Sequence, residues 1–423
     1  MKKKSKNISF LNELSGTISV YFAVLYSLII VPNILSNAGV PYNSIFLGVC
    51  ISSALGCFLC AFCAKKPFVF GSYVGENSFL AFSAVPIMGY SYNQALGCAF
   101  WAAVVMLIIS ISDLKTYIIE GIPHCIRSSL PVGLGLFLTV LGLLKIGVVS
   151  IPEKSLMLNI GNLTEPTTLM GILCLVIMLV LRALNVKMNV LFGIAITVLV
   201  AILNGMIVIP QFTMPDFSNV ILQLDIKGTF NYNYATLIIT FFIFLLNDTI
   251  AAAEAVSSYS GEQDSESRGN LLTATSLASC LAPLFGCVSC GVYSESILAV
   301  ENGAKTKFVP ITAGILFLLS IFLMPFLSVI PDYICAAVLV YIGIILAAKV
   351  EDKGFSTEEL TEYIPAYTFV ALTCFTVNLA IGICAAFIMY LILKLFTGKI
   401  FDITPVSIIW GVLSVVFFIF YPY

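Results

Sequence analysis

The chain has 423 residues, of which 60% are hydrophobic and only 10% charged, with a formal net charge of -2. Apolar runs of about 18 residues or more recur from Ile18 onward, which excludes an ordinary water-soluble domain and marks a polytopic membrane protein. No nucleic-acid partner is expected; the bilayer is. In chain order, the N-terminal MKKKSKNISFLNELSG is basic, but the apolar segment after it is of full length and lacks a small-residue cleavage site, so it reads as a first span rather than a signal peptide. Spans are expected near 16–37, 44–64, 68–85, 93–112, 128–149, 167–184 and 188–209, then near 234–257, 269–286, 288–303, 308–328, 331–348, 364–378 and 380–396. With a cytoplasmic N-terminus, only Lys145, Lys154 and Lys227 of the 20 Lys and Arg fall outside, as the positive-inside rule requires. Seven spans per half is an odd number, so two related halves lie in the membrane with opposite orientations, as in inverted-repeat transporters. The stretch 406–423 is long enough for a fifteenth span or an interfacial helix, and the sequence does not decide between them.

Short internal similarities support the halves. GSYVGENSFLA, starting at Gly71, resembles GVYSESILA, starting at Gly291, and LPVGLGLFLTVLGLL at Leu130 resembles IPDYICAAVLVYIGIIL at Ile330. The first pair shares a Gly-x-Tyr start with an acid just beyond it. Residues 68–73 and 288–293 are rich in Val, Phe, Tyr and Gly, as extended chain would be, and each runs into a short helical pattern. Extended backbone at membrane depth is tolerated only where protein buries it or it lines a cavity. Two such stretches would pair across the pseudo-symmetry axis and aim two half-helix starts at one site, where Glu76 and Glu295 would sit. A third polar element is FFIFLLNDTIAAAEAV, with Asn247, Asp248 and Thr249 in mid-span. A carboxylate at bilayer centre costs about 2.5 kcal/mol or more on insertion scales, so a functional role is the default reading for Asp248. Glu254 and Glu301 lie nearer span ends and read as structural. The 13 cysteines sit in apolar segments, and Cys57, Cys60 and Cys63 have metal-like spacing with no histidine near; no metal or cofactor is expected, and the single His124 reads as structural.

IIVPNILSNAGVP, GENSFLAFSAV, LPVGLGLFLTVLGLLKIGVV, LLNDTIAAAEAV and VYSESILAVENGAKT occur in an order and spacing that resembles the xanthine/uracil permease superfamily of nucleobase transporters, and the likeness is strongest to its bacterial guanine/hypoxanthine/adenine permeases. It covers residues 10 to 400. The resemblance implies an all-α, 14-span, seven-plus-seven inverted repeat with short extended stretches in segments 3 and 10. It implies a core domain from 14–112 and 234–329 and a gate domain from 113–233 and 330–423. It also implies purine uptake coupled to a proton or another cation across the cytoplasmic membrane, and it leaves a homodimer open. Carried over by position, Asp248 and Glu295 contact the base, Ser294 supplies backbone at the half-helix start, and Phe79 turns its backbone to the substrate. Asn77, Asn247, Thr249 and Glu76 complete the expected substrate-binding set, with Asp248 and Glu295 as the proton-coupling pair. The chain departs from the pattern at Glu76, where many members have leucine, at Asn247, where they have phenylalanine, and at Leu245, where they have a second acid. Cys290 and Gly291 replace a Thr-rich approach.

The residues suit a nucleobase on chemical grounds as well. Carboxylates accept from ring N–H groups, half-helix amides donate to carbonyls, and Phe79, Tyr73 or Tyr293 offers a stacking face. An inorganic-anion carrier of the same architecture would want a cation and no converging acids, and no Arg or Lys is expected beside these. A membrane enzyme lacks a nucleophile and base. A channel fits midplane acids on broken helices less well than alternating access does.

Overall fold

The computed structural model describes residues 10–112, 122–150, 159–186, 188–207, 222–229, 234–246, 265–327, 330–348, 359–376 and 378–420. Among them, six helices are long and apolar enough to cross a membrane: Phe10–Ser36, Tyr42–Ala64, Tyr92–Ile111, His124–Ile146, Pro166–Ala183 and Phe308–Leu327. Shorter apolar helices include Asn189–Leu203, Ala235–Leu246, Gly269–Phe285, Asp332–Ala347 and Ile381–Phe396. Large apolar side chains such as Ile108, Leu203, Phe375 and Phe396 are exposed on their outer faces, where lipid takes the place of water. The chain is a multi-pass membrane protein.

The two stretches that read as extended are extended, and they pair. Strand β1, Phe70–Ser72, runs antiparallel to the later strand Cys290–Val292, with Gly71 opposite Gly291. Each leads into a short helix, Val74–Phe79 after the first and the turn Ser294–Ser296 with Ile297–Glu301 after the second. The Gly-x-Tyr repeat explains the close crossing. The Tyr73 ring lies over Gly291 and the Tyr293 ring over Gly71, where any Cβ would strike it. Each phenol then donates to a carbonyl of the other strand, Tyr293 Oη to Ser72 O at 2.6 Å and Tyr73 Oη to Val292 O at 3.2 Å. Flanking polar side chains repeat the exchange: Asn77 Oδ1 accepts from Val288 N at 3.0 Å, and Ser296 Oγ from Val69 N at 2.9 Å. Burial leaves no water to compete for these groups, so each has found a protein partner.

The second repeat pair also meets. Helices His124–Ile146 and Asp332–Ala347 pack backbone to backbone, and a Cβ on Gly135 would lie 2.5 Å from Gly343 O and 2.7 Å from Ala347 N. Small residues permit this approach, which dispersion and packing reward inside a bilayer. The segment whose membrane depth the sequence leaves undecided forms a helix, Pro405–Phe420. Trp410 stacks between Phe242 and Phe387, at 5.8 and 5.9 Å between centroids, so this helix rests on both Ala235–Leu246 and Leu379–Phe396.

Candidate functional site

The first span does not run straight. It divides into Phe10–Val24 and Ser27–Ser36, with a turn at Leu25 and Tyr26. Ser27 Oγ donates to Val24 O at 2.8 Å and so satisfies a carbonyl at the break. The break aims Tyr26 at the start of the second half-helix, where its hydroxyl donates to Glu295 Oε1 at 3.3 Å.

Tyr26 and Glu295 line a cavity of about 760 Å³, with Tyr73, Gly75, Phe244 and Tyr293 beside them. The rest of the wall comes from other helices: Leu130 and Leu134 of His124–Ile146, Arg182 of Pro166–Ala183, Asn189 of Asn189–Leu203 and Tyr341 of Asp332–Ala347. Tyr341 Oη donates to Asn189 Oδ1 at 2.8 Å, bracing that wall. The cavity reaches the exposed Arg182 and Asn185, and so communicates with one end of the molecule.

At the opposite ends of the same helices the walls are shut. Asn33 Nδ2 donates to Asp332 Oδ1 at 2.6 Å, Lys145 Nζ donates to Asn37 Oδ1 at 2.7 Å, and the Lys145 ammonium sits 4.8 Å from the centre of the Phe82 ring. These contacts join the first and third spans to helices His124–Ile146 and Asp332–Ala347. The cavity is therefore a one-sided vestibule that ends near the broken helices.

The residues singled out in the sequence fare differently. Glu295 lines the cavity. Glu76 does not: it is 2% exposed and turns into the protein beside Cys290, leaving its neighbours Val74 and Gly75 to form the wall. Asn77 is fully buried, and its amide nitrogen bonds Ser72 Oγ at 2.9 Å and the Tyr73 carbonyl, so its hydrogen bonds serve the strand crossing. Phe79, also outside the wall, packs edge-on against Phe241 and Phe244, at 5.5 and 5.4 Å, and backs the Phe244 ring that faces the cavity. Ser294 begins the turn Ser294–Ser296, and only its backbone is described. Asn247, Asp248, Thr249 and Glu254 lie outside the described residues. Cys57, part of the metal-like spacing, instead braces β1, its Sγ accepting from Phe70 N at 3.3 Å; among the described residues no cluster of three or more His, Cys, Asp or Glu side chains is placed to hold a metal.

Among the wall residues missed in the sequence are Tyr26, Arg182 and Tyr341. A tyrosine inside an apolar run carries no signal of which way it points. Arg182, in VLRALNV, reads as an ordinary flanking charge at a span end, so the expectation that no Arg or Lys shares the site of the acids needs correction: Arg182 lines the cavity that holds Glu295. His124 is the first residue of a helix, and Glu301 lies at the cavity's rim.

The model of the permease family named for xanthine and uracil matches residues 12–363. Adenine permease AdeP of Escherichia coli is 28% identical over 418 residues, covering 96% of this chain and 92% of the relative. Guanine/hypoxanthine permease PbuO of Bacillus subtilis is 27% identical over 423 residues, with 97% of each chain covered. The transmembrane domain of a cyanobacterium bicarbonate transporter, BicA, superposes with a TM-score of 0.67 at 14% identity, over 91% of this chain and 98% of that one. At that identity the likeness is one of fold, the seven-plus-seven inverted repeat.

Proposed function

Since the chain belongs to the xanthine/uracil permease family, whose members are transporters, we propose that it takes up purine nucleobases by proton symport across the cytoplasmic membrane. The observation that carries this reading is Glu295 in the wall of a cavity shared by both broken helices, with phenols and a phenylalanine ring around it. A purine presents ring N–H donors and carbonyl acceptors in one plane. Glu295 accepts from a ring N–H, the Phe244 ring offers an apolar face, and the Tyr26 hydroxyl, already on Glu295, lies beside the same space, while the Tyr73 and Tyr293 hydroxyls stay with the strand pair. A site made of such groups discriminates strongly, because an analogue lacking a donor leaves buried polar atoms unpaired.

In this proposal Asp248, from the eighth span, is the proton-linked partner of Glu295. Two carboxylates near one site cannot both ionise cheaply in low dielectric, so a proton is shared with the bound base, and by linkage each ligand raises the affinity of the other. With a cytoplasmic N-terminus the vestibule opens inward. Spans 5–7 and 12–14, residues 113–233 and 330–423, then act as a gate against which the core of 14–112 and 234–329 moves.

Arg182 in the wall favours a second reading, an inorganic-anion carrier like the structural neighbour. One set of uptake measurements separates the two. Cells expressing the protein should accumulate labelled hypoxanthine, guanine or adenine, with uptake that follows external pH and loses its uphill component in Asp248→Asn. Movement of bicarbonate or sulfate with no base taken up would overturn the purine reading, and uptake that tracks sodium and ignores pH would overturn the proton assignment.

A further inference from the structure

Glu295 serves the base, and the break in the first span serves Glu295. That break places one group where substrate and carboxylate meet. Tyr26 is 9% exposed, lines the cavity itself, and donates its hydroxyl to Glu295 Oε1 at 3.3 Å. At 3.3 Å the bond is longer than the usual 2.7–2.8 Å of an O–H donor to oxygen. The helix turn that aims Tyr26 is held independently, by Ser27 Oγ on Val24 O at 2.8 Å.

We propose that Tyr26 is a specificity-determining residue of the base site: its phenol takes part of the acceptor capacity of Glu295 and thereby ranks substrates by how many adjacent donors they present. This rests on the purine reading of the same cavity. A carboxylate accepts bidentately only when both oxygens can turn to one partner. Hypoxanthine, whose pyrimidine-ring N–H has no donor beside it, makes one bond to the carboxylate and leaves the phenol in place. Guanine, whose pyrimidine-ring N–H lies beside an exocyclic amine, needs an in-plane lone pair on each oxygen, and on Oε1 it competes with the phenol. Tyr26 therefore works against the second class, a case of selectivity built from a competing donor.

The test is the ratio of KM values for guanine and hypoxanthine uptake, measured in the wild type and in Tyr26→Phe. Removing the hydroxyl while keeping the ring should lower the guanine-to-hypoxanthine KM ratio about tenfold, the size of one modest hydrogen-bond difference. A purely structural role would move both KM values by the same factor or would change only the amount of protein. An unchanged ratio overturns the proposal. The wild type supplies a check that does not depend on the variant folding: guanine must compete for hypoxanthine uptake more weakly than hypoxanthine itself, and equal or stronger competition also overturns the proposal. Absence of any base uptake by the wild type would remove the purine reading, and this one with it, whereas base uptake with an unchanged ratio removes this one alone.

Discussion

Placing a methyl group on Gly71 tests whether the strand crossing positions the site. A Cβ there would lie 2.9 Å from Tyr293 Cζ and 3.1 Å from Cδ2, and closer still to Cε2, against the 3.4 Å at which ordinary contact begins. The Tyr293 ring must therefore retreat by more than about one ångström at Cε2, and its neighbours leave it little room, because the ring is only 6% exposed. Overpacking of this kind costs about 1–3 kcal/mol. The retreat also stretches the 2.6 Å bond from Tyr293 Oη to Ser72 O, worth about 1 kcal/mol more. Gly71→Ala should accordingly lower the thermal unfolding midpoint in detergent more than Tyr293→Phe, which removes only the bond. Because Tyr293 is two residues from Glu295, base uptake should fall even where the protein reaches the membrane in normal amount. Gly291→Ala, whose Cβ would lie 2.6 Å from Tyr73 Cζ, should behave alike by the pseudo-symmetry of the pair. A Gly71→Ala protein with wild-type midpoint and wild-type uptake would refute the reasoning.

The shut end of the vestibule should have to open during transport: a disulfide between Asn33→Cys and Asp332→Cys, whose side chains now meet at 2.6 Å, is expected to cut uptake at least about tenfold, with recovery on reduction. Full uptake by the cross-linked protein would show that these helices do not separate there. At the far side of the molecule, Lys394 is 2% exposed among Glu359, Glu362 and Asp402, at 3.1, 2.6 and 3.0 Å. Lys394→Met should destabilise by about 1–3 kcal/mol, read as a loss of folded protein on heating; the lysine is buried, but its three carboxylates are 24–54% exposed, so water screens the charges left behind. The Lys399 ammonium, the Thr361 hydroxyl and Lys394 hold the Glu359 carboxyl down to about 2, below its usual 4.5. Its contribution is therefore present above pH 4.5 and lost as pH falls toward 2, so the stability gap between wild type and Glu359→Gln should close across that window. At 42% exposure the contribution is screened, and added salt should narrow the gap too.

The architecture was legible because bilayer physics leaves few options: long apolar runs, and two aromatic, glycine-bearing stretches that had to be buried or line a cavity. The Gly-x-Tyr repeat foretold the strand pair. What could not be read was the exchange across it, since nothing in either stretch says that Tyr73 serves Gly291 and Tyr293 serves Gly71. The same blindness affected polar side chains. Glu76 and Asn77 sit one and two residues beyond Gly75 in a helix that turns about 100° per residue, so a position near the half-helix start does not tell which of them faces the cavity. Gly75 does, and both polar residues turn inward. Tyr26 and Tyr341 were hidden for the converse reason: an aromatic in an apolar run looks like packing until its hydroxyl is seen to have a partner.

The antiparallel pair of Phe70–Ser72 with Cys290–Val292 has a mechanical consequence. Two half-helices that merely pointed at a ligand could drift apart and let it go. Here they are stitched by main-chain bonds, by two phenols and by Asn77 and Ser296, all four side chains buried. The cradle formed by the two stretches is therefore a rigid carriage: it can be translated or tilted as a piece, but it cannot be unfastened once per cycle at an acceptable energy.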